Sequence, residues 1–359
     1  MKKIAIAAAG TGGHIFPGLS VGKVLIEKGV QPYWFGTPIG LENKLVDKAQ
    51  YKFYPVNMQG VRGKGLVRWL LMPFALGAAV LEAKEVLAKE KIEKVLLCGG
   101  YVTVPVGLAA KWLKIPIVLL EQNAAMGLSN RVLSYFASKI FCGFPCGLKP
   151  KKFKNNQVQE IAVIGNPVRE EISAIAPSAD LLTSRPLHVL VMGGSLGALA
   201  INQTIPEMLK LIKNPVQVLH QTGEKTFQAT LELYQKSGLE KGVKLVPFLE
   251  NMAHAYAWAD VVICRAGALT VSEVAAAGRT GIFIPLPIAV DDHQTKNAKY
   301  LVSQNAAKLI SQGSLKPELL ANILDELNTQ REKIVAMGVA AKALSMPGSA
   351  GIVAKALMS

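Results

Sequence analysis

Cysteine is scarce in this chain of 359 residues: Cys98, Cys142, Cys146 and Cys264 form neither a Cys-x-x-Cys pair nor a zinc-finger spacing. A disulfide-stapled scaffold and a structural zinc site are thereby excluded, and reduced thiols in the cytosol are expected. Acid is scarce too, with 25 Asp and Glu against 40 Lys and Arg. No Asp-x-Asp pair occurs, and Asp291-Asp292-His293 has no histidine or carboxylate at matching spacing, so the chemistry is expected to use no metal and no cofactor. Aromatic residues make up 6% of the chain and do not interleave with the basic ones, which argues against nucleic acid as a partner. No stretch holds the ~18 uninterrupted apolar residues of a membrane span. The opening MKKIAIAAAG imitates a signal peptide, but its apolar run is short and meets a glycine loop, so a buried first strand is expected.

Half of the residues are hydrophobic, enough for buried sheets, and the length suggests two domains. The net charge of +15 is lopsided: residues 1–154 carry 22 basic and 8 acidic side chains, residues 155–359 carry 18 and 17. One half alone is therefore expected to face a polyanionic surface, and an anionic bilayer fits better than nucleic acid. The contact is expected where Arg62, Lys64 and Arg68 precede Trp69-Leu70-Leu71-Met72-Pro73-Phe74, in an apolar run interrupted at Pro73 and Gly77. Arg68, Trp69, Leu70, Leu71 and Phe74 are the candidate membrane residues, too few to span lipid but of the kind that insert at its surface. A core helix with a solvated basic start is the competing reading.

Short β-type runs alternate with helical spacing along the chain. Residues 4–9 lead into Gly10-Thr11-Gly12-Gly13-His14, 95–98 into Gly99-Gly100, 117–120 into Glu121-Gln122-Asn123, and 189–192 into Gly193-Gly194-Ser195. This βαβα order with glycine turns predicts an α/β fold of doubly wound parallel sheets. The strand-and-glycine opening recurs at 189–198, so two similarly wound, Rossmann-like domains facing a central cleft are expected, residues 1–164 and 165–340. Residues 341–359 are expected to form a helix that packs back on the first domain. NAD is excluded, because the glycines at 10, 12 and 13 do not follow GxGxxG and the strand at 33–35 ends in Gly36, where an acidic residue would hold the ribose.

The second domain is organised around residues 264–278, CRAGALTVSEVAAAG. A strand, a glycine turn and a fresh helix start aim unpaired N–H groups and the helix dipole at one point, which favours a phosphate. Thr270 and Glu273 have the spacing of a capping box. Glu273 also lies where a carboxylate can accept from the vicinal hydroxyls of a ribose, and both readings stand. His14, at a loop-to-helix corner, is either a general base or a structural histidine. Arg169 either reaches the gap between domains or is an ordinary surface arginine.

Eight segments in order carry a resemblance: GTGGHIFPG at 10–18, GGYVTVP at 99–105, EQN at 121–123, GNPVR at 165–169, GGSLGA at 193–198, HQTG at 220–223, AYAWADVVICRAGALTVSEVAAAG at 255–278 and DDHQTKNA at 291–298. Together they are similar to the MurG family, the bacterial UDP-N-acetylglucosamine:undecaprenyl-pyrophosphoryl-MurNAc-pentapeptide N-acetylglucosaminyltransferases. The resemblance implies a GT-B fold, with UDP-GlcNAc held by the second domain while the first faces the membrane and takes the acceptor, lipid I. Carried over residue by residue, the donor-binding positions fall on Thr11, Gly12, Gly13, Asn123, Arg169, Ser195, Leu249, Ala268, Leu269, Thr270, Val271, Ser272, Glu273 and Gln294. Glu273 would hold the ribose hydroxyls, Gln294 the sugar, and Ser195 the diphosphate.

The implied reaction is inverting. The C4 hydroxyl of MurNAc attacks C1 of GlcNAc as UDP leaves, and the β-1,4 bond gives lipid II for peptidoglycan. His14 is the first candidate base and Glu121 the second. The implied location is peripheral, at the cytoplasmic face of the bacterial inner membrane. Two alternatives remain at this point, a related glycosyltransferase with a different lipid acceptor and a non-catalytic sugar-nucleotide-binding membrane protein.

Overall fold

The structure, a computed structural model, describes residues 2–58, 66–153, 158–176, 182, 185–194, 197–239, 242–287 and 292–359, without the side chains of 66–70. It divides into two units, Met1–Pro167 with Gly348–Ser359, and Val168–Pro347.

The first unit is built on seven parallel strands: β1 (Ile4–Ala8), β2 (Tyr33–Gly36), β3 (Lys52–Pro55), β4 (Lys94–Gly99), β5 (Ile117–Glu121), β6 (Lys139–Cys142) and β7 (Glu160–Val163). Their order is β3-β2-β1-β4-β5-β6-β7. In β1, Ile4, Ile6 and Ala8 enter one core with Trp34, Leu96 and Leu120, while Ala5, Ala7 and Ala9 beside it enter another with Phe35, Leu97 and Leu119. Apolar side chains on both faces, alternating with period two, are what a parallel sheet covered on both sides requires.

One face is covered by two helices, Gly12–Glu27 and Ser349–Met358, which bury Ile15, Val21, Leu25, Val353 and Leu357 together. Gly348 caps the last helix at φ 80°, a backbone state that suits glycine, so the returning helix starts at 349 and not at 341. Residues 341–347 belong to the second unit, and the crossing falls after Pro167 instead of before Gly165.

On the other face, the helix Leu66–Lys89 runs unbroken through Pro73 and Gly77, the two residues that interrupt the apolar run of the sequence. Both positions are exposed, so the ladder bond that proline deletes lies on a solvent-facing turn. The second half of this helix buries Ala79, Ala83 and Leu87, whereas Leu71 and Phe74 in its first half stand exposed.

The second unit has six parallel strands, β8 (Leu187–Met192), β9 (Val216–Gln221), β10 (Val243–Val246), β11 (Val261–Cys264), β12 (Thr280–Phe283) and β13 (Ala307–Leu309), in the order β10-β9-β8-β11-β12-β13. Val189, Val191, Val261, Ile263 and Ile282 pack against Leu320 and Leu324 of the helix Pro317–Thr329.

In both sheets the winding reverses beside the first strand, between β1 and β4 and again between β8 and β11. The carboxyl ends of such neighbouring strands open a crevice where doubly wound sheets take their ligands.

Candidate active site

At the switch point of the second unit, β8 delivers Gly193-Gly194 and β11 delivers Arg265-Ala266-Gly267. A Cβ on Gly193 would lie 2.8 Å from the Ala198 nitrogen, so only glycine lets the chain fold back this closely. Gln221 pins the turn. Its Oε1 accepts from the Gly194 N–H and its Nε2 donates to the Gly194 and Pro247 carbonyls, each at 3.1 Å.

Next to Gln221 on β9, His220 is fully buried, with Nε2 at 3.1 Å from Asn202 Oδ1 and Nδ1 at 2.9 Å from the Tyr234 hydroxyl. Asn202 in turn donates to the Thr222 carbonyl at 3.0 Å. Burial pushes the His220 pKa down to about 3, so the ring is neutral at physiological pH. His220 and Gln221 therefore brace the glycine turn from behind, a role that the HQTG string alone does not reveal.

The helix Ala268–Ala277 follows β11 with Gly267 as its N-cap and no side-chain capping bond. Starting ahead of Thr270, it makes no use of the capping-box spacing. Glu273 is held instead by two neighbours from elsewhere in the same unit. Arg169 Nη2 meets Oε1 at 3.0 Å, and the Tyr256 hydroxyl donates to Oε2 at 3.1 Å. Neither a capping glutamate nor a solvated surface arginine describes this pair.

Burial raises the Glu273 pKa, and Arg169 opposes the shift. Tyr256, fully buried, is raised well above the usual phenol range by burial and by Glu273, so it remains a donor. An ionised carboxylate offers about four acceptor sites, and the two bonds seen here leave capacity for further hydroxyls.

Around this helix start the loops are tied down. Asn297 donates to the Ala266 carbonyl at 3.2 Å, and Arg265 to those of Ile284 and Pro285 at 3.0 and 3.2 Å. Gln294, near the start of the helix His293–Val302, accepts from the Leu286 N–H at 3.0 Å, which places it beside the loop leaving β12. Leu269, Thr270 and Ser272 are partly exposed on the Ala268 helix, whereas Ala268 and Val271 are buried. Leu249 is half-buried in the loop after β10. Ser195 and Asp291 lie outside the described residues.

At the switch point of the first unit, the helix opens at Gly12 with Thr11 as N-cap, so Gly12, Gly13 and His14 form its first turn and are not a loop. His14 Nδ1 lies 3.3 Å from the Ala9 carbonyl. A carbonyl can only accept, so Nδ1 carries a proton. Gly99, at φ 111°, makes room for this ring, since a Cβ there would come within 2.7 Å of it. Glu42, fully buried, accepts from the N–H groups of Gly10 at 3.3 Å and Thr37 at 2.7 Å, and so anchors the glycine turn from a distant element.

Glu121, the second candidate base, is buried and hydrogen-bonded on both carboxylate oxygens. Its carboxylate is buried, with Oε1 accepting from Asn123 N and Nδ2 at 2.9 and 3.3 Å and Oε2 from Gly127 N and Asn130 Nδ2 at 3.2 and 2.8 Å. Burial raises its pKa while these donors oppose the rise. Glu121 braces the loop that carries Asn123.

Of the candidate membrane residues, Leu71 and Phe74 are 57% and 77% exposed, and the side chains of Arg68, Trp69 and Leu70 lie outside the described residues. Exposed Trp112 and Tyr135 in the same unit carry Lys84 and Lys151 ammonium groups 3.8 and 3.3 Å from their ring centroids. Among the described residues, no helix is long and apolar enough to cross a membrane.

Residues 4–142 match the glycosyltransferase family 28 N-terminal domain, and residues 188–350 match the glycosyltransferase family 28 C-terminal domain. The chain is 44% identical over 353 residues to the Acinetobacter baylyi "UDP-N-acetylglucosamine--N-acetylmuramyl-(pentapeptide) pyrophosphoryl-undecaprenol N-acetylglucosamine transferase", covering 97% of this chain and 94% of that protein. It is 45% identical over 326 residues to the Hydrogenovibrio crunogenus protein of the same name, covering 90% and 88%. The crystal structure of Acinetobacter baumannii MurG aligns with a TM-score of 0.84 at 38% identity, over 100% of this chain and 99% of that one.

Proposed function

The chain belongs to the MurG family within glycosyltransferase family 28, and from that premise we propose that it moves GlcNAc from UDP-GlcNAc to the C4 hydroxyl of MurNAc in lipid I, with inversion, giving lipid II. The GT-B fold of two Rossmann-like units suits the task, because each supplies a switch-point crevice and the reaction has a donor and an acceptor.

In this reading the UDP diphosphate sits on the N–H groups at the start of the Ala268–Ala277 helix and on the glycine turn carrying Gly193, Gly194 and Ser195. Glu273 accepts the ribose hydroxyls while Arg169 and Tyr256 hold its carboxylate in place. Leu249, Leu269, Thr270, Val271 and Ser272 line the nucleotide, and Gln294 meets the sugar. The helix dipole offsets the charge that builds on the departing diphosphate.

On the first unit, Thr11, Gly12, Gly13 and Asn123 contact the reactants, and His14 Nε2 takes the proton of the attacking hydroxyl. Leu71 and Phe74, with Arg68, Trp69 and Leu70 preceding them on the same helix, rest on the anionic cytoplasmic face of the inner membrane, making the enzyme peripheral.

The observation that carries this reading is the end-to-end likeness to curated transferases of this one name. It is tested by measuring UDP release from UDP-GlcNAc with and without a lipid I analogue. Release that depends on the analogue is expected. Binding without release marks a silent sugar-nucleotide-binding protein, and release only with a diacylglycerol acceptor marks a different transferase; either result rejects the reading.

A further inference from the structure

β6 ends at Cys142, and the chain returns within four residues to bring Cys146 back beside it, with the two Sγ atoms 3.1 Å apart. This loop adjoins the one braced by Glu121. Cys142 is the register partner of Glu121 across β5 and β6, and the Gly143 N–H donates to the Glu121 carbonyl at 2.8 Å. Asn166 Nδ2 donates to the Gln122 carbonyl at 3.0 Å, and a Cβ on Gly143 would collide with the Asn166 amide, so the two loops are packed without slack.

We propose that Cys142 and Cys146 form a hydroperoxide-sensitive dithiol, with Cys146 the attacking sulfur and Cys142 the resolving one, closing to an intrachain disulfide at the edge of the Asn123 loop. Geometry assigns the roles. Cys142 is wholly buried, whereas Cys146 is partly exposed and within reach of a small oxidant. A hydrogen bond from Cys142 and another from the Leu148 N–H favour the Cys146 thiolate and bring its pKa down to about 7, while the same contact and burial push Cys142 far up. Cys98 and Cys264 are buried without such a partner thiol, and burial alone raises Cys98.

In the first step the Cys146 thiolate attacks the outer oxygen of a hydroperoxide ROOH. The S–O bond forms, the O–O bond breaks, and the departing alkoxide takes a proton to leave as ROH. In the second step the Cys142 sulfur attacks the Cys146 sulfenic acid. The S–S bond forms, the S–O bond breaks, and hydroxide leaves as water with the Cys142 proton. Two electrons pass from the two thiols to the peroxide.

The test treats the full-length protein with hydrogen peroxide and reads intact mass, peptide maps and dimedone labelling. Expected are a loss of two hydrogens located to the peptide bearing Cys142 and Cys146, reversal by dithiothreitol, no such loss in Cys146→Ser, and a dimedone adduct on Cys146 in Cys142→Ala. Should either variant fail to fold, the order of iodoacetamide alkylation in the wild type decides instead, with Cys146 first. A wild-type chain that keeps its mass, a disulfide that survives Cys146→Ser, or alkylation of Cys98 or Cys264 ahead of Cys146 overturns the proposal. A reversible loss of GlcNAc transfer on oxidation is expected as well. That loss rests on the functional reading above, whereas the bond is read by mass, so the two can fail separately.

Discussion

The Tyr256 hydroxyl donates to Glu273 Oε2 at 3.1 Å across 17 residues of chain, from the helix Met252–Trp258 to the helix that follows β11. With Arg169 on the other oxygen, the carboxylate is oriented before any ligand arrives. Preorganisation of this kind spares the ligand the cost of ordering the group it binds.

Tyr256→Phe removes one hydrogen bond to a charged acceptor and leaves the ring to fill its place in the core. UDP-GlcNAc affinity should fall by about tenfold, worth roughly 1.4 kcal/mol. Glu273→Ala should weaken it by about 100-fold or more while the protein still melts cooperatively, because no capping bond is lost. Isothermal titration and a thermal melt of each variant check both statements, and a Tyr256→Phe affinity equal to wild type would remove the tyrosine from the site.

Glu121 predicts a different pattern. Glu121→Ala leaves the donors on Asn123, Gly127 and Asn130 without their acceptor, a loss of about 3 kcal/mol or more in urea denaturation. Glu121→Gln keeps one carbonyl oxygen and should fall between. If Glu121 were the base, Glu121→Gln would abolish turnover at unchanged stability. The bracing role predicts that turnover and stability fall together.

His220 makes the second unit sensitive to acid. Its folded pKa of about 3 lies below the unfolded value of about 6.5, so the unfolded chain binds the extra proton first. The stability this contributes is complete above about pH 6.5 and is lost as pH falls toward about 3. His220→Asn removes the titration, and its melting temperature should decline less steeply than that of the wild type across that window. Parallel acid limbs would contradict the assignment.

Leu71→Asp with Phe74→Asp should reduce binding to phosphatidylglycerol vesicles in a flotation assay by about tenfold or more, since both side chains are exposed and their burial in the interface is lost. UDP-GlcNAc binding should not change. Unaltered flotation would move the lipid contact elsewhere, with Trp112 and Tyr135 the next residues to replace.

The parts of the fold that could be read from sequence are those whose signal is local. β1, β4, β5, β8 and β11 are continuous apolar runs because both of their faces are covered, and the glycines at their ends mark the turns that follow. β3, β7 and β10 escaped because they are half-exposed and short, so no apolar run announces them. Glu273 and His14 stood out as candidates from their positions beside glycine turns, and Arg169 from its place at the domain link. Tyr256, Gln221 and Glu42 did not, because each meets its partner 17, 27 or 32 residues away and leaves no periodicity to find. The capping-box spacing of Thr270 and Glu273 goes unused because Gly267 already opens the helix ahead of Thr270.

In the proposed binding mode a nucleotide sugar is gripped at the start of the Ala268–Ala277 helix by a carboxylate that Arg169 and Tyr256 hold ready. A crystal of this protein soaked with UDP-GlcNAc measures it directly. Both ribose hydroxyls are expected within hydrogen-bond distance of Glu273, with the diphosphate against the Ala268 end of the helix. Density for uridine anywhere else, or ribose hydroxyls turned away from Glu273, would contradict it.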